Sequence, residues 1–290
     1  MSLIDPREAE ARKTADLQGA PAALAATIVA GLCVLLSAAL IGFAAAAVFD
    51  QFRITSINSV FSSWDTRIPV AVRGWGLPLG IIASIFSTAQ YAKWNHRFTG
   101  RSTSFAGLGP LTIILLGLTA GIWLATTLWT EPDAVGVAVD PTFSRDEPWD
   151  VGGWVLYSAK WWLPGLFALL TVLSLIGRVA SGRQRTRRSA TVEQLLETGA
   201  LVDAEVLQAP LPVAEASRMA ATLLVSFTDR QQSTRFVRCT ALLRTSQLPP
   251  VGAHVPLLFD PAAPGDVKRI FLSPTGGTSP EDFQPVTAAR

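Results

Sequence analysis

Apolar and polar positions divide the chain into two regimes. Up to about residue 180 the apolar residues come in long unbroken stretches, and beyond it they come in short alternating ones. The long stretches are residues 22–49 and 105–129, without a charge, 74–91, bounded by Arg73 and Lys93, and 153–176, interrupted only by Lys160. A helix needs about 20 apolar residues to cross a bilayer. Backbone amides in hydrocarbon find no water, so such segments must be helical. The expectation is a four-span helical bundle over residues 22–180, behind a tail over 1–21. Ala44–Ala47 could pass for a signal-peptidase site, but the first stretch is too long for a signal core. The preceding tail also has four acids among its charges, so the stretch reads as a retained span.

The alternating stretches are Ala200–Leu207, Ala221–Thr228, Thr234–Leu243, His254–Phe259 and Val267–Leu272. In the first, Val202, Ala204 and Val206 alternate with Asp203 and Glu205, the period of a half-buried strand. Pro210, Pro212, Pro249, Pro250, Gly252 and the pair Asp260–Pro261 punctuate them. Five short strands close most economically as a small all-β barrel of the OB or SH3 kind, over residues 189–274. A flat sheet packed on a helix is the alternative. That helix is expected in ATVEQLLETG, with Thr191 as N-cap, Gln194 three residues on and Gly199 as the stop. Residues 275–290, with the glycine-bearing Thr275–Ser279, read as a disordered tail.

Composition strengthens the membrane reading. Hydrophobic residues make up 49% of the 290 and charged residues 16%, too little charge to coat a soluble globule of this size. Nine Trp beside two Tyr suit membrane interfaces. Orientation follows from the loop cations. Arg7, Arg12, Lys13, Lys93, Arg97, Arg101, Arg178, Arg183, Arg185, Arg187 and Arg188 fall on one side. Arg53, Arg67, Arg73 and Arg145 fall on the other, beside the acidic Glu131, Asp133, Asp140, Asp146, Glu147 and Asp150. Both termini are therefore expected in the cytoplasm. Four Lys against twenty Arg, with abundant Ala, suggest a bacterial inner membrane.

Small residues recur every four positions: Ala38, Gly42, Ala46; Gly76, Gly80, Ser84, Thr88; Gly117, Gly121, Ala125. Such rows let helix backbones approach closely. The fourth stretch has none and is bulkier, with Trp161, Trp162, Leu166, Phe167 and Leu170, so it is expected to face lipid or a partner. Ile57, Val60, Phe61, Trp64 and Ile68 fit either a short amphipathic helix on the outer leaflet or a loop packed over the bundle.

The segment from TGALVDAEV through Phe227-Thr228-Asp229 to VGAHVPLLFDPAAP resembles a bacterial family of membrane-anchored domains of unknown function. Val251, Gly252, Val255, Asp260, Pro261 and Pro264 carry the likeness, and Phe259 stands where Tyr is usual. The likeness covers residues 199–272, implies a small β barrel and implies no activity. Physically, Gly252 permits a tight turn and Asp260 before Pro261 bonds its own backbone.

Candidate chemistry is sparse. His96 and His254 have no acidic or thiol neighbours at ligand spacing, so neither a metal nor a cofactor is expected. Cys33 and Cys239 are lone, and Cys239 reads as a small core residue. Asp140, Asp146, Glu147 and Asp150 read as a solvated loop. Phe227, Phe236, Phe259 and Phe271 could stack bases, but alternation places most of them in the core, and no nucleic-acid partner is expected. No catalytic residue is assigned. The basic Arg183, Arg185, Arg187 and Arg188 suit anionic lipid and also an ordinary stop signal after a last span. Lys160 either snorkels to the headgroups or, with a kink at Pro164, lines a path. The function expected is non-enzymatic: an accessory, scaffold or regulatory subunit docking a membrane-protein partner or a second copy through its β domain. A small transporter or channel component using Lys160 is the alternative.

Overall fold

The computed structural model describes residues 15–58, 66–100, 105–212, 217–280 and 282–289. The chain divides into two compact units, Met1–Val179 and Ala180–Arg290. Among the described residues the long helices are α1 (Pro21–Ile57), α2 (Val70–Thr99), α3 (Pro110–Thr126) and α4 (Val151–Thr198), the last of which continues into the second unit. Among the described residues α1, α2 and α4 are long and apolar enough to cross a membrane.

The third apolar stretch is corrected. Its helix has 17 residues, starting at Pro110 and ending at Thr126, so residues 105–109 and 127–129 lie outside it. Pro110 lacks the amide that would carry a helix back toward Phe105. At the other end the hydroxyls of Thr126 and Thr127 donate to their own helix at Trp123 and Leu124. By contrast α1 runs past Phe49 to Ile57, carrying Asp50 and Arg53 within the helix.

In the first unit α1 is the central helix, with Ala38, Gly42, Ala46 and Ala47 buried. The small-residue rows mark its contacts. A β-carbon on Gly117 would stand 2.5 Å from the Leu35 carbonyl oxygen, and one on Gly42 would stand 2.5 Å from that of Leu118. A β-carbon on Gly121 would overlap the carbonyl oxygen of Ala39. Here α1 and α3 touch backbone to backbone. On the α2 side, β-carbons on Gly76 and Gly80 would meet Ala44 and Ile41 at 2.7 Å. α4 meets α3 through hydroxyl pairs, Thr112–Ser174 at 2.7 Å and Thr119–Thr171 at 3.2 Å. Most of α4 stays exposed, Trp161, Leu169, Leu173 and Ile176 among it. Residues 59–65 of the expected amphipathic segment lie outside the described residues, while its flanking Ile57 and Ile68 are buried.

The second unit is a closed barrel of six strands, all neighbours antiparallel. With the short pair β1 (Val137–Ala138) and β2 (Glu147–Pro148) in the first unit, these are β3 (Ala200–Gln208), β4 (Arg218–Thr228), β5 (Thr234–Arg244), β6 (His254–Phe259), β7 (Ile270–Leu272) and β8 (Gln284–Ala288). Two meanders, β3-β4-β5 and β6-β7-β8, join through the β3–β6 and β5–β8 pairs. The inward residues of β5, Val237, Cys239, Ala241 and Leu243, alternate with exposed neighbours and pack against Leu223, Leu257, Phe259 and Leu272. Gly252, at φ +84°, turns the chain into β6, and its amide donates to the Val206 carbonyl at 2.8 Å.

The expectation of five strands and a disordered tail is corrected to six strands. β8 comes from that tail, with Phe283 fully buried and Val286 inside the barrel. It pairs with β5 on one side and β7 on the other, edges that five strands would leave open. Thr275–Ser279 leads into it, with the Ser273 hydroxyl donating to the Gly277 carbonyl at 2.7 Å. The separate helix at ATVEQLLETG is corrected too: it is the end of α4, and the Thr191 hydroxyl donates to the Arg187 carbonyl inside that helix instead of capping it.

Two predictions follow from these contacts. Gly121→Ala should lower the detergent melting point, because overpacking at a backbone contact costs about 1–3 kcal/mol. Gly165→Ala, which meets open space, should leave it unchanged or raise it, since Ala is the better helix former by about 1 kcal/mol. The second concerns the β4–β5 hairpin, where the carboxylate of Asp229 accepts from the Ser233 and Gln231 amides at 2.9 Å and from Arg235 Nε at 2.8 Å. The Ser233 amide foremost, with Arg235 and Gln231, holds this carboxyl below its usual range. A lowered folded-state pKa gives stability that is present above about pH 4 and lost as pH falls through the folded value. Asp229→Asn should therefore flatten the acid limb of melting point against pH and lower the plateau at neutral pH.

Candidate anion-binding cleft

The second unit contains a cleft of about 580 Å³ between the end of α4 and the β7–β8 side of the barrel. Its floor is apolar: Val267, Phe271, Pro285 and Val286. The α4 wall carries Arg185, Arg187 and Arg188, and Lys268 faces them from the turn before β7. No carboxylate lines the cleft among the described residues. Four cations share one concave surface, and concave walls of low dielectric focus their field.

Local structure explains the placement. Val192 and Leu195 on α4 pack with Leu258, Phe271 and Phe283, which turns the Arg185–Arg188 stretch toward the barrel. The turn Val267–Arg269 is capped by Asp266, whose carboxylate accepts the Lys268 amide at 3.1 Å. Asp260 behaves as expected before a proline: its Oδ1 accepts the Ala262 amide at 2.9 Å, and its other oxygen pairs with Arg269. Arg188 is a clamp. Its Nη2 donates to the Phe283 carbonyl and to Gln284 Oε1, tying α4 to the start of β8. Arg187 and Lys268 are exposed and have no ion-pair partner among the described residues, so they are the groups available to a ligand.

Of the arginines assigned to anionic lipid, Arg185, Arg187 and Arg188 line the cleft, and Arg183 does not. Lys268 lay unnoticed in the sequence because it is 80 residues away. The other candidate groups serve structural ends. Cys239 sits in the barrel core, where burial pushes its thiol up to about 11, so it is almost all protonated and unreactive at neutral pH. The Asp140 carboxylate accepts the Thr142 and Phe143 amides, Asp146 accepts that of Asp140, and Asp150 caps α4 at Gly153. Phe227, Phe259 and Phe271 are buried, and Phe236 is exposed. His254 opens β6 opposite Glu205, and His96 lies in the last turn of α2. No group of three potential metal ligands occurs among the described residues. Lys160 pairs with Glu131, 3.3 Å from Nζ to Oε1, linking α4 to the segment after α3.

One expected loop cation is corrected. Arg53 is not a loop cation: it is fully buried in α1, bonded through Nε (3.1 Å) and Nη2 (2.8 Å) to Asp50. Asp50 also accepts the Thr130 amide at 3.1 Å, and the guanidinium lies 5.0 Å from the Trp129 ring centre. The i, i+3 spacing of Asp50 and Arg53 was the available signal, once α1 is allowed to continue.

Compared with protein-family models, curated proteins and solved structures, the chain matches none of them.

Proposed function

We propose that this chain is a non-enzymatic, multi-pass protein of a bacterial inner membrane, an accessory or scaffold subunit that docks a membrane partner through its β-barrel unit. The observation that carries the reading is the cationic cleft, which suits the phosphate of an anionic phospholipid headgroup at the cytoplasmic face. Four membrane crossings and cytoplasmic termini belong to the same proposal. They are supported by the loop cations, and α3 would be the shortest crossing. Lys160 bonded to a loop glutamate between aromatic rings supports a snorkelling side chain over a transport path.

Native mass spectrometry of the full chain, released from discs of phosphatidylcholine with a minority of phosphatidylglycerol, tests the cleft. The wild type should retain phosphatidylglycerol, and Arg187→Gln with Lys268→Gln should weaken retention roughly thirtyfold, from about 1 kcal/mol per lost cation near a surface. Equal retention by both proteins would remove the headgroup reading.

A further inference from the structure

A second cleft, of about 340 Å³, lies in the first unit where α3 stops short. Seventeen residues at 1.5 Å each make α3 roughly 26 Å long, against a hydrocarbon core of about 30 Å. The shortfall is occupied by side chains that suit an interface. Trp129 folds back to form the floor, buried, with its indole N–H donating to the Ala46 carbonyl at 3.1 Å. Phe49 stacks on it and the Asp50-paired Arg53 guanidinium lies against its ring, so the floor is fixed before any ligand arrives. Trp123 and Trp161 form the walls and are 60% and 70% exposed, which leaves their faces open to an apolar ligand.

Charge decides what the cleft takes. Arg67 and Lys160 both line it, and the carboxylate facing them there is that of Glu131. Lys160 is already bonded to Glu131, while Arg67 is exposed and has no ion-pair partner among the described residues. The net charge of the three is thus one positive. Thr126 and Thr127 spend their hydroxyl protons on helix carbonyls, so their oxygens at the rim are left as acceptors. A ligand that satisfies all of this carries one negative charge, hydroxyl donors and an apolar body.

We propose that this cleft binds the headgroup of a singly anionic phosphodiester lipid, its phosphate between Arg67 and Lys160, its hydroxyls toward the threonines, and its acyl chains along Trp123 and Trp161. The site is separate from the cationic cleft of the second unit and shares no lining residue with it. It makes good the missing length of α3 with lipid instead of protein.

The test uses the full chain in phosphatidylcholine discs and reads quenching of tryptophan emission by dibrominated phosphatidylglycerol against dibrominated phosphatidylcholine. Among the described residues the cleft of the second unit has no tryptophan in its lining, and Arg187→Gln with Lys268→Gln, which removes that cleft's available cations, should leave this preference unchanged. The brominated anionic lipid should quench more strongly than the neutral one. Arg67→Gln and Lys160→Gln should each weaken that preference about fivefold, and Glu131→Gln should strengthen it by a similar factor. Arg67→Gln disturbs no described ion pair, so it keeps the test valid should Lys160→Gln fail to fold. Equal quenching by the two lipids, or a preference that Arg67→Gln leaves intact, would overturn the proposal. Loss of the preference on adding soluble glycerol 1-phosphate would also overturn it, because the site would then read a free phosphate without the lipid.

Discussion

Backbone contact between α1 and α3 is the constraint on which the first unit depends. Helices as apolar as these gain little from burying one Leu against another when lipid is the competing surround. Close approach is what remains, and Gly42, Gly117 and Gly121 supply it by placing carbonyl oxygens where β-carbons would stand. α2 uses the same device with Gly76 and Gly80 against Ala44 and Ile41. α4 has no such row, and two hydroxyl pairs join it to α3 instead. Its exposed apolar flank follows directly, as does the room beside α3 in which the tryptophan-walled cleft opens.

Polar groups then fix what the glycine contacts leave free. Asp50 and Arg53 neutralise one another inside α1, and together they hold Thr130 and Trp129 at the end of α3. A buried charge stripped of its partner costs about 3–5 kcal/mol, so the pair acts as a unit. Trp149, bonded through its indole to the Ile57 carbonyl at 2.7 Å, links the end of α1 to the aromatic start of α4. The barrel has its own version of the same logic: Asp229 closes the β4–β5 hairpin, Asp260 braces the turn after β6, and Arg188 secures β8.

Much of this was legible from residue order. The small-residue rows named the helix contacts, and period-2 alternation located β3, β4, β5 and β6 within a few residues. The sixth strand escaped because QPVTA has a single strongly apolar inward residue, Val286, and follows a Gly- and Ser-rich segment. Its meaning comes from β5 and β7, which need a partner between them. The Asp50–Arg53 pair escaped because the charge-free stretch stops at Phe49, whereas an i, i+3 pair lets the helix continue to Ile57. Lys268 escaped because a cleft is a property of closure: only the closed barrel places residue 268 opposite residue 187.

The proposed function requires the β-barrel unit to face the cytoplasm and the connection between α3 and α4 to face outward. It is tested most directly in intact bacterial cells with a membrane-impermeant maleimide, on single-cysteine variants of a chain lacking Cys33 and Cys239. Asp133→Cys lies exposed between α3 and α4, and Leu242→Cys lies exposed on the barrel. The account predicts labelling of Asp133→Cys in intact cells and of Leu242→Cys only after lysis. Labelling of Leu242→Cys in intact cells would contradict it.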